Sequence, residues 1–458
     1  MKNLTFEEQR KRVENIRAAE ENNKKYFRRT RIYNYMPGQA TYNLGDYPAP
    51  FSIAPTDYDR KLLKEMAEGG VELIQLHEEW NDAVRHLGAD KFTSFDPKGL
   101  HEFVDLAHSY GLKVIPYVST GYFHEYDPDF REDFVRAHTY CVNGMHFKYI
   151  KCDPGSPAWR SYLLPRTFAI LDEYGFDGIY NDMGYDGKSL FHRELRAKGL
   201  PEAEVQAAEV PYGCEIEDLL ATIYSEIHRR GGVYKVHADG SYAPPVKDKV
   251  YDYLWIGEGI KLSTPGLGKD YPDFVVPCPD YGNKEDDKYE HHFARCIPFL
   301  QFPLLTKGRP LMGKRIDEDI TYYSPPEGCF SEYELNRRIK EYTEAHPDGP
   351  YVYSLWSPIP DDPHNFDLWY HYLALYRPMV KENSVAFIEL RDCADFLTPI
   401  PDEVYASMFV NEERYLAVSN FTGKDYTFTL TEKWRDRETG KVSDTFTVEN
   451  NAIIFLLK

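Results

Sequence analysis

Short runs of β-branched and aromatic residues alternate along most of the chain with longer amphipathic segments, and glycine often separates a segment from the run that follows it. Such runs predict strands, and amphipathic segments of ten or more residues predict helices. Strands that alternate with helices form parallel sheets, in which each helix connects two neighbouring strands. The number of repeats predicts an α/β protein with a (β/α)8 TIM barrel.

Boundary signals place several elements of the predicted barrel. Thr56 and the pair Asp96-Pro97 are predicted to begin two helices, because Thr and Asp cap helix N-termini and Pro is favoured in the first turn. Pro165 lies within a third helical segment and predicts a kink or a break there. The predicted barrel strands are residues 31–38, 71–80, 112–120, 176–184, 233–240, 251–260, 295–305 and 351–357.

The pattern differs at the two ends of the chain. Residues 1–28 are rich in Ala, Glu, Lys and Arg and contain neither Pro nor Gly, which predicts an N-terminal helix. From residue 383 onward, short strands follow one another with turn residues between them. We therefore predict an N-terminal helix over 1–28, a catalytic barrel over 29–382 and a small C-terminal all-β domain, a β-sandwich, over 383–458.

Composition limits the partners of the 458-residue chain. Its formal net charge of -20 repels a polyanion, so nucleic acid is not a predicted partner. The first residues lack the apolar run of a signal peptide, and no stretch has transmembrane length, so we predict a cytoplasmic protein without a membrane partner. Seven scattered cysteines without a C-x-x-C pair predict free thiols in a reducing compartment. The oligomeric state is left open.

Aromatic residues make up 15% of the chain, with 37 tyrosines and 6 tryptophans. Tyr and Trp combine a flat apolar face with a polar tip, which suits a sugar ring. The core of a large barrel also uses many aromatic residues, so this composition is compatible with a carbohydrate substrate but does not single it out.

The fourth predicted strand contains the first candidate for catalysis. Active sites of barrels lie at the carboxyl ends of the strands, and side chains alternate between the two faces of a strand. Tyr180 and Asp182 share one face, Asn181 lies on the other, and Asp182 falls at the strand end. A carboxylate there can attack the anomeric carbon of a sugar, or it can cap the following loop. The position favours catalysis.

Segments on two strands resemble a known group of enzymes. Gly175–Met183, GFDGIYNDM, resembles the nucleophile segment D-G-x-W-x-D-M-N-E of family 31 glycoside hydrolases, with Tyr180 in place of Trp and Gly184-Tyr185 in place of Asn-Glu. Leu254–Ile260, LWIGEGI, resembles the W-S-G-D-N segment with the acid/base of that family. The sandwich that family 31 has before its barrel has no counterpart here. The resemblance is therefore to the clan of family 31/36 retaining α-glycoside hydrolases.

The fourth strand also resembles the α-amylase pattern D-G-x-R-x-D, with Tyr180 in place of Arg. Both resemblances imply that Asp182 is the nucleophile. The clan resemblance implies that Glu258 is the acid/base, and Asp239 is the reserve candidate. The implied reaction is retaining hydrolysis of an α-linked oligosaccharide or glycoside through two carboxylates. The sequence contains neither a dinucleotide-binding fingerprint nor a P-loop, and no cofactor is predicted.

Other polar and aromatic residues near strand ends are candidates for binding the sugar. Lys235, His237 and Asp239 have one parity on the fifth strand and can face the barrel interior together, although a satisfied internal network is an equal alternative. On the second strand, His77 goes with Glu79, and Glu78 goes with Trp80; periodicity does not decide which pair lines the site. The predicted substrate-binding residues are Tyr180, His77, Glu79, Trp80, Tyr117, Lys235, His237 and Asp239.

Two other functions stay open on the sequence alone. The departures from the family patterns at Tyr180, Gly184 and Glu258 fit a carbohydrate-binding barrel that has lost catalysis. The imidazoles and carboxylates at the strand ends also fit a metal-dependent barrel hydrolase. However, the first predicted strand lacks the H-x-H pattern typical of such enzymes, and we predict no metal site.

Overall fold

The structure is a computed structural model, and it describes residues 4–46, 52–81, 88–125, 127–135, 141–144, 147–183, 192, 195–209, 212–237, 243–256, 268–269, 271–279, 288–311, 314–315, 341–342, 344–348, 352–353 and 366–458. The chain forms two compact units. The terminal unit comprises residues 1–38, 261–305 and 362–458, and the central unit comprises residues 39–260 and 306–361.

The elements are numbered in chain order within the described residues. The helices are α1 (Phe6–Asn22), α2 (Asp57–Glu68), α3 (Pro97–Ser109), α4 (Pro157–Tyr174), α5 (Glu202–Ala207), α6 (Gly213–Arg229), α7 (Glu290–Cys296) and α8 (Phe366–Tyr376). Short 3-10 helices span Glu78–Trp80, Ala89–Phe92, Glu132–Phe134 and Ile297–Phe299. No helix in this part of the chain is long and apolar enough to cross a membrane.

The strands are β1 (Asn23–Arg31), β2 (Gln39–Asn43), β3 (Leu73–Leu76), β4 (Lys113–Ile115), β5 (Tyr117–Ser119), β6 (Tyr122–His124), β7 (Cys141–Gly144), β8 (Phe147–Lys151), β9 (Gly178–Asp182), β10 (Val233–His237), β11 (Tyr253–Ile256), β12 (Pro277–Pro279), β13 (Leu305–Gly308), β14 (Lys314–Arg315), β15 (Val352–Tyr353), β16 (Val385–Cys393), β17 (Val404–Val410), β18 (Arg414–Asn420), β19 (Tyr426–Asp436), β20 (Val442–Val448) and β21 (Ile453–Leu457).

The central unit contains two sheets of parallel strands, most of them joined by helices. β2, β3 and β4 pair in parallel, as do β5, β9, β10 and β11. β13 lies beside β2. Pro116 divides the predicted third strand, so that β4 pairs with β3 and β5 pairs with β9. This succession of neighbouring parallel strands in chain order is the arrangement that the alternating pattern predicted. The segment after β5 adds the antiparallel sheet β6-β8-β7.

The predicted helix starts in the central unit are confirmed. Thr56 caps α2 in a capping box with Asp59, and Asp96 caps α3 with Pro97 in the first turn. Of the kink or break predicted at Pro165, the break is wrong, because α4 continues through that residue; the kink stays a prediction. In this helix, the missing N–H of one proline does not end the hydrogen-bonded ladder on either side of it.

Two predicted strands are in the wrong place. The first was predicted at 31–38, but β1 ends at Arg31 and the strand that pairs with β3 is β2. The seventh was predicted at 295–305, but that apolar run forms the end of α7 and a 3-10 helix before β13 begins. A short, fully buried apolar run has no period that separates helix from strand.

The terminal unit contains a sheet to which both ends of the chain contribute. Its order is β1-β16-β17-β18-β21-β19-β20, and β1 pairs antiparallel with β16. The first helix ends at Asn22, earlier than the pattern suggested. Arg12 of α1 bonds Glu412 at 2.6 Å, and Ala19 packs into the hydrophobic core of the sheet. The two units thus group the residues differently from the three predicted domains, whose boundaries lie at 28/29 and 382/383. Those domain boundaries stay a prediction.

Candidate active site

The last residues of three neighbouring strands in the central unit form a row across the sheet. Ser119 of β5, Asp182 of β9 and His237 of β10 are direct partners in the parallel register. Directly paired residues of parallel strands project to the same face of the sheet, so these side chains lie side by side. The carboxyl ends of parallel strands are where barrel enzymes build their sites, and Asp182 lies there as predicted.

The Asp182 carboxylate is held from two sides. The Tyr117 hydroxyl donates a hydrogen bond to Oδ2 at 3.0 Å, and Nδ1 of His237 lies 3.4 Å from Oδ1. The side chain of Asp182 is 27% exposed, whereas that of His237 is 7% exposed. Contacts to both oxygens from different strands restrict the rotation of the carboxylate. Asp182 is therefore an oriented carboxylate with part of its surface accessible to a ligand.

Tyr117 stays protonated in this position. Burial raises its pKa well above the ordinary value of 10.0, and the negative charges of Asp182 and Glu78 raise it further. A phenol that keeps its proton can only donate to the carboxylate in this contact. The sequence predicted Tyr117 as a residue that contacts substrate, and the structure places its hydroxyl on the predicted nucleophile.

An aromatic layer lies under this row. The ring of Tyr180 makes edge contacts with Tyr117, His77 and Trp255 at centroid distances of 5.8, 5.9 and 5.8 Å. Trp255 also contacts His237 edge-on at 4.5 Å. Edge-to-face contacts fix the mutual orientation of the rings. Tyr180 is 2% exposed, so it supports the other side chains and has almost no surface for a sugar.

The end of β3 departs from the alternation that the sequence analysis used. A 3-10 turn over Glu78–Trp80 follows His77, so the parity of a strand no longer applies. Oε2 of Glu78 lies 3.6 Å from Nδ1 of His77, and both side chains are about one-fifth exposed. Glu78, which the sequence analysis held only as an alternative through its pairing with Trp80, is thus a partly accessible carboxylate beside the predicted His77.

Two predicted substrate-binding residues next to Glu78 are inaccessible. Glu79 is fully buried, and burial followed by repulsion from Glu78 raises its pKa to about 8 against the attraction of His77. Trp80 is fully buried, donates from its indole nitrogen to the carbonyl of Tyr117 at 3.0 Å and packs edge-on against Phe176. Neither side chain reaches the surface, because the 3-10 turn directs both into the core.

Lys235 occupies the row below Asp182. It pairs in register with Tyr180, is fully buried and donates to Oε1 of Gln39 at 3.1 Å. This arrangement corresponds to the satisfied internal network that the sequence analysis held as the alternative to sugar binding. The parity of Lys235 and His237 was correct, but only His237 lies at the level of Asp182.

The remaining predicted site residues are not described. Glu258, the predicted acid/base, and Asp239, its reserve, lie outside the described residues. Their roles stay predictions. Within the described ranges, no group of three His, Cys, Asp or Glu side chains is arranged to hold a metal ion.

Solved structures of glycoside hydrolases are similar to this chain. An α-amylase from Geobacillus thermoleovorans in complex with acarbose has 10% identity and a TM-score of 0.51, over 93% of this chain and 99% of that one. An Anoxybacillus α-amylase has 12% identity and a TM-score of 0.51, over 93% and 98%. A GH36 α-galactosidase from Geobacillus stearothermophilus in complex with raffinose has 12% identity and a TM-score of 0.50, over 92% and 55%.

These similarities establish the fold. No protein-family model matches the sequence, and no curated protein matches it. The chain spans about half the length of the GH36 α-galactosidase. It shares the fold of α-amylase-type and GH36 glycoside hydrolases, and it has an antiparallel C-terminal sheet. At these identities the likeness does not extend to substrate or mechanism.

Proposed function

We propose that this protein is a retaining glycoside hydrolase that cleaves an α-linked oligosaccharide or glycoside. The observation that carries the proposal is the Asp182 carboxylate, which is partly exposed at the carboxyl end of β9 and held by Tyr117 and His237. The shared fold with glycoside hydrolases supports it. The likeness of GFDGIYNDM to the nucleophile segment of the family 31/36 clan supports the role of Asp182.

The proposed reaction has two displacements. Asp182 attacks the anomeric carbon, the bond to the leaving oxygen breaks, and a glycosyl-enzyme forms. Glu258, or Asp239 in its place, protonates the leaving oxygen and then takes a proton from the water that releases the sugar. Tyr117 fixes the rotation of the Asp182 carboxylate by its bond to Oδ2.

The proposal includes a closed (β/α)8 barrel within residues 29–382, followed by the C-terminal domain. Seven parallel strands support it: β2, β3 and β4 follow one another in chain order in one sheet, β5, β9, β10 and β11 do so in another, and β13 lies beside β2. His77 and Glu78, which directly follow β3, and Asp182, at the end of β9, are each partly accessible. Imidazoles both donate and accept hydrogen bonds, and carboxylates accept them, as the hydroxyls of a neutral sugar require.

The test is a screen of 4-nitrophenyl α- and β-glycosides with wild type and Asp182→Asn, each with and without a chelator. Asp105→Asn, an exposed carboxylate on α3, is the matched control. We expect wild type and the control to cleave an α-glycoside in the presence of chelator, and Asp182→Asn to lose that activity. An Asp182→Asn enzyme of full activity contradicts the assignment. A wild type that binds sugars but cleaves none favours the binding barrel, and loss on chelation favours a metal-dependent hydrolase.

A second screen separates the two candidates for the acid/base. An acid/base is needed less when the leaving group is already a good one. Glu258→Gln and Asp239→Asn are therefore compared on glycosides with 4-nitrophenol and with 2,4-dinitrophenol as the leaving group. The variant whose loss shrinks with the better leaving group has lost the acid. Equal losses on both substrates contradict that role for either residue.

A further inference from the structure

The three strands that position Asp182 are also joined on their other face. Asn181 is fully buried, and its amide oxygen accepts hydrogen bonds from the backbone nitrogen of Thr120 at 3.2 Å and from the Thr120 hydroxyl at 2.8 Å. Its amide nitrogen donates to the hydroxyl of Tyr234 at 2.6 Å. Thr120 directly follows β5, and Tyr234 belongs to β10. One side chain on β9 therefore links three strands, and we call these three residues the outer link.

The outer link spans the same strands as the contacts of the candidate site. On the inner face, Asp182 of β9 contacts Tyr117 of β5 and His237 of β10. Asn181 precedes Asp182 by one residue, so the two bridges lie back to back at the ends of the strands. Because both bridges cross the same gaps between strands, the spacing that the outer link fixes also sets the distances on the inner face.

Further buried hydrogen bonds tie this link to its surroundings. The indole nitrogen of Trp159 in α4 donates to the carbonyl of Thr120 at 3.1 Å, and Trp159 is fully buried. The backbone nitrogen of Met183 donates to the carbonyl of His237 at 3.1 Å, just beyond Asp182. A buried polar group that loses its partner is costly, so the ends of β5, β9 and β10 resist movement relative to one another.

We infer that Asn181 is a positioning residue for Asp182: it holds three strand ends at the spacing at which the carboxylate meets Tyr117 and His237. The inference rests on the proposed function, in which Asp182 is the nucleophile. A misplacement of about 1 Å at a reacting group lowers the rate by about 100-fold. Loosening the link changes the approach of Asp182 to the anomeric carbon while sugar contacts elsewhere persist, so the effect falls on kcat more than on KM.

The experiment removes the link in steps. Tyr234→Phe and Thr120→Val each delete one hydroxyl at nearly constant volume, and Asn181→Leu deletes the whole link. Tyr174→Phe is the control, because the Tyr174 hydroxyl accepts a hydrogen bond from the backbone of Ser94 in the same unit and lies apart from the link. kcat, KM and Tm are measured for each on the 4-nitrophenyl glycoside that wild type cleaves fastest.

We expect kcat to fall about 3- to 10-fold in each single-hydroxyl variant and about 100-fold in Asn181→Leu, with KM changed by less than about threefold. The control is expected to lose a similar amount of Tm and to keep its kcat. Wild-type kcat in Tyr234→Phe and Thr120→Val overturns the inference. A control that loses as much kcat as they do also overturns it, because the effect is then one of stability alone.

A readout that needs no substrate accompanies the kinetics. Amide hydrogen exchange is compared between wild type and Tyr234→Phe or Thr120→Val, which keep the fold if Asn181→Leu does not. We expect faster exchange at the ends of all three strands, over Tyr117–Thr120, Asn181–Met183 and Val236–His237. Unchanged exchange at β5 and β10 overturns the inference. If wild type cleaves no glycoside, the proposed function fails, and exchange alone decides whether Asn181 joins the strands.

Discussion

The amino ends and the carboxyl ends of the central strands both have an aspartate beside a histidine, in different surroundings. At the amino end of β9, Asp177 accepts hydrogen bonds from the backbone nitrogen of Val114 at 2.8 Å and from Nε2 of His108 at 2.8 Å. At the carboxyl end of the same strand, Asp182 is held by two side chains and by no backbone amide among the described residues.

The arrangement at the amino end occurs twice. Asp252, just before β11, accepts from the backbone nitrogen of Tyr234 at 2.9 Å and from Nε2 of His228 at 2.9 Å. The carbonyl of Tyr234 in turn accepts from the backbone nitrogen of Asp252 at 2.7 Å. In both copies the histidine comes from the last turn of a helix, α3 or α6. The aspartate side chain therefore adds one hydrogen bond to those between the backbones of the neighbouring strands. Through its histidine partner it also connects the end of a helix to the sheet.

The comparison shows that residue type alone does not distinguish a structural aspartate from a candidate catalytic one. The hydrogen-bond partners of the carboxylate make that distinction. A backbone amide cannot turn away, so one oxygen of Asp177 and one of Asp252 are committed to the strand ladder, although the Asp177 side chain is still 22% exposed. The side-chain partners of Asp182 leave part of the carboxylate accessible. The same separation is general in barrels, where the amino-end face contributes stability and the carboxyl-end face contributes catalysis.

The largest expected effect is on kcat at the carboxyl end of β9, whereas the same substitution at the amino end is expected to affect stability. We expect Asp182→Asn to lower kcat by at least about 1,000-fold with little change in Tm, because a nucleophile is lost at a partly exposed position. Asp177→Asn is expected to lower the free energy of unfolding by about 1–3 kcal/mol, with kcat per folded molecule nearly unchanged. Glycosidase kinetics and urea unfolding of both variants measure this. If Asp177→Asn abolishes kcat in the folded protein, the division between the two ends is wrong.

The next effect concerns the tyrosine partner of Asp182. Tyr117→Phe removes a charge-assisted hydrogen bond at the site, and we expect kcat to fall about tenfold with a small change in stability. Tyr162→Phe is the matched control, because its hydroxyl donates to Oδ2 of Asp129 at 2.8 Å in the same unit. It is expected to leave kcat unchanged. Equal kcat for wild type and Tyr117→Phe contradicts a role for this bond in orienting the nucleophile.

Glu79 is a third kind of carboxyl group, because it lies near the carboxyl end of β3 but is fully buried. Its folded pKa of about 8 lies above the ordinary value of 4.5. At any pH between these two values, the folded state therefore keeps a proton that the unfolded state has released. The stability that this group contributes is present below about pH 4.5 and is lost progressively toward pH 8, by up to about 1.4 kcal/mol per pH unit. Glu79→Gln is therefore expected to be more stable than wild type at pH 7.5, with a smaller difference at pH 5. A difference independent of pH contradicts this.

The smallest expected effect is the pH dependence of the amino-end pair. The hydrogen bond to Asp177 raises the pKa of His108 above its ordinary value of 6.5. The His108 hydrogen bond, followed by that of the Val114 backbone, lowers the pKa of Asp177 below 3.8 despite burial. Stability from His108 is present below pH 6.5 and is lost as pH rises through its folded pKa. Stability from Asp177 is present above pH 3.8 and is lost as pH falls.

His108→Gln tests this pair through unfolding curves at pH 5.5 and pH 8.5. We expect the variant to be less stable than wild type at pH 5.5 and closer to it at pH 8.5. His101→Gln, an exposed histidine on the same helix, is the control and is expected to show a smaller pH dependence. The reverse order of the two pH values contradicts the assignment of the charged His108 to this contact.

Local signals in the sequence predicted the features that depend on near neighbours. Thr56 and Asp96 identified helix starts because capping involves residues three positions apart. Alternation along β9 correctly separated Asp182 from Asn181, because five residues in one strand determine it. For the end of the second predicted strand, parity left two pairs open, and neither His77 with Glu79 nor Glu78 with Trp80 is accessible as a pair.

The features that sequence reasoning missed depend on the shape of the fold. The 3-10 turn after His77 buries Glu79 and Trp80 and exposes Glu78, and no spacing in the segment signals it. The link between Asn181 and Tyr234 requires the register of two strands that are separated by a helix in the sequence. Such contacts become visible only when the parallel sheet is assembled.

The pairing of β1 with β16 has a consequence for the order of events during synthesis. β16 is synthesised only after the central unit that separates it from β1, so the edge strand Asn23–Arg31 leaves the exit tunnel long before its partner exists. Until then its apolar residues Tyr26 and Phe27 and its unpaired backbone are open to chaperones, proteases and other nascent chains. Forming a strand pair between segments so far apart in sequence is slow. Nascent chains that stop before β16 are therefore expected to protect the central unit from proteolysis before they protect β1.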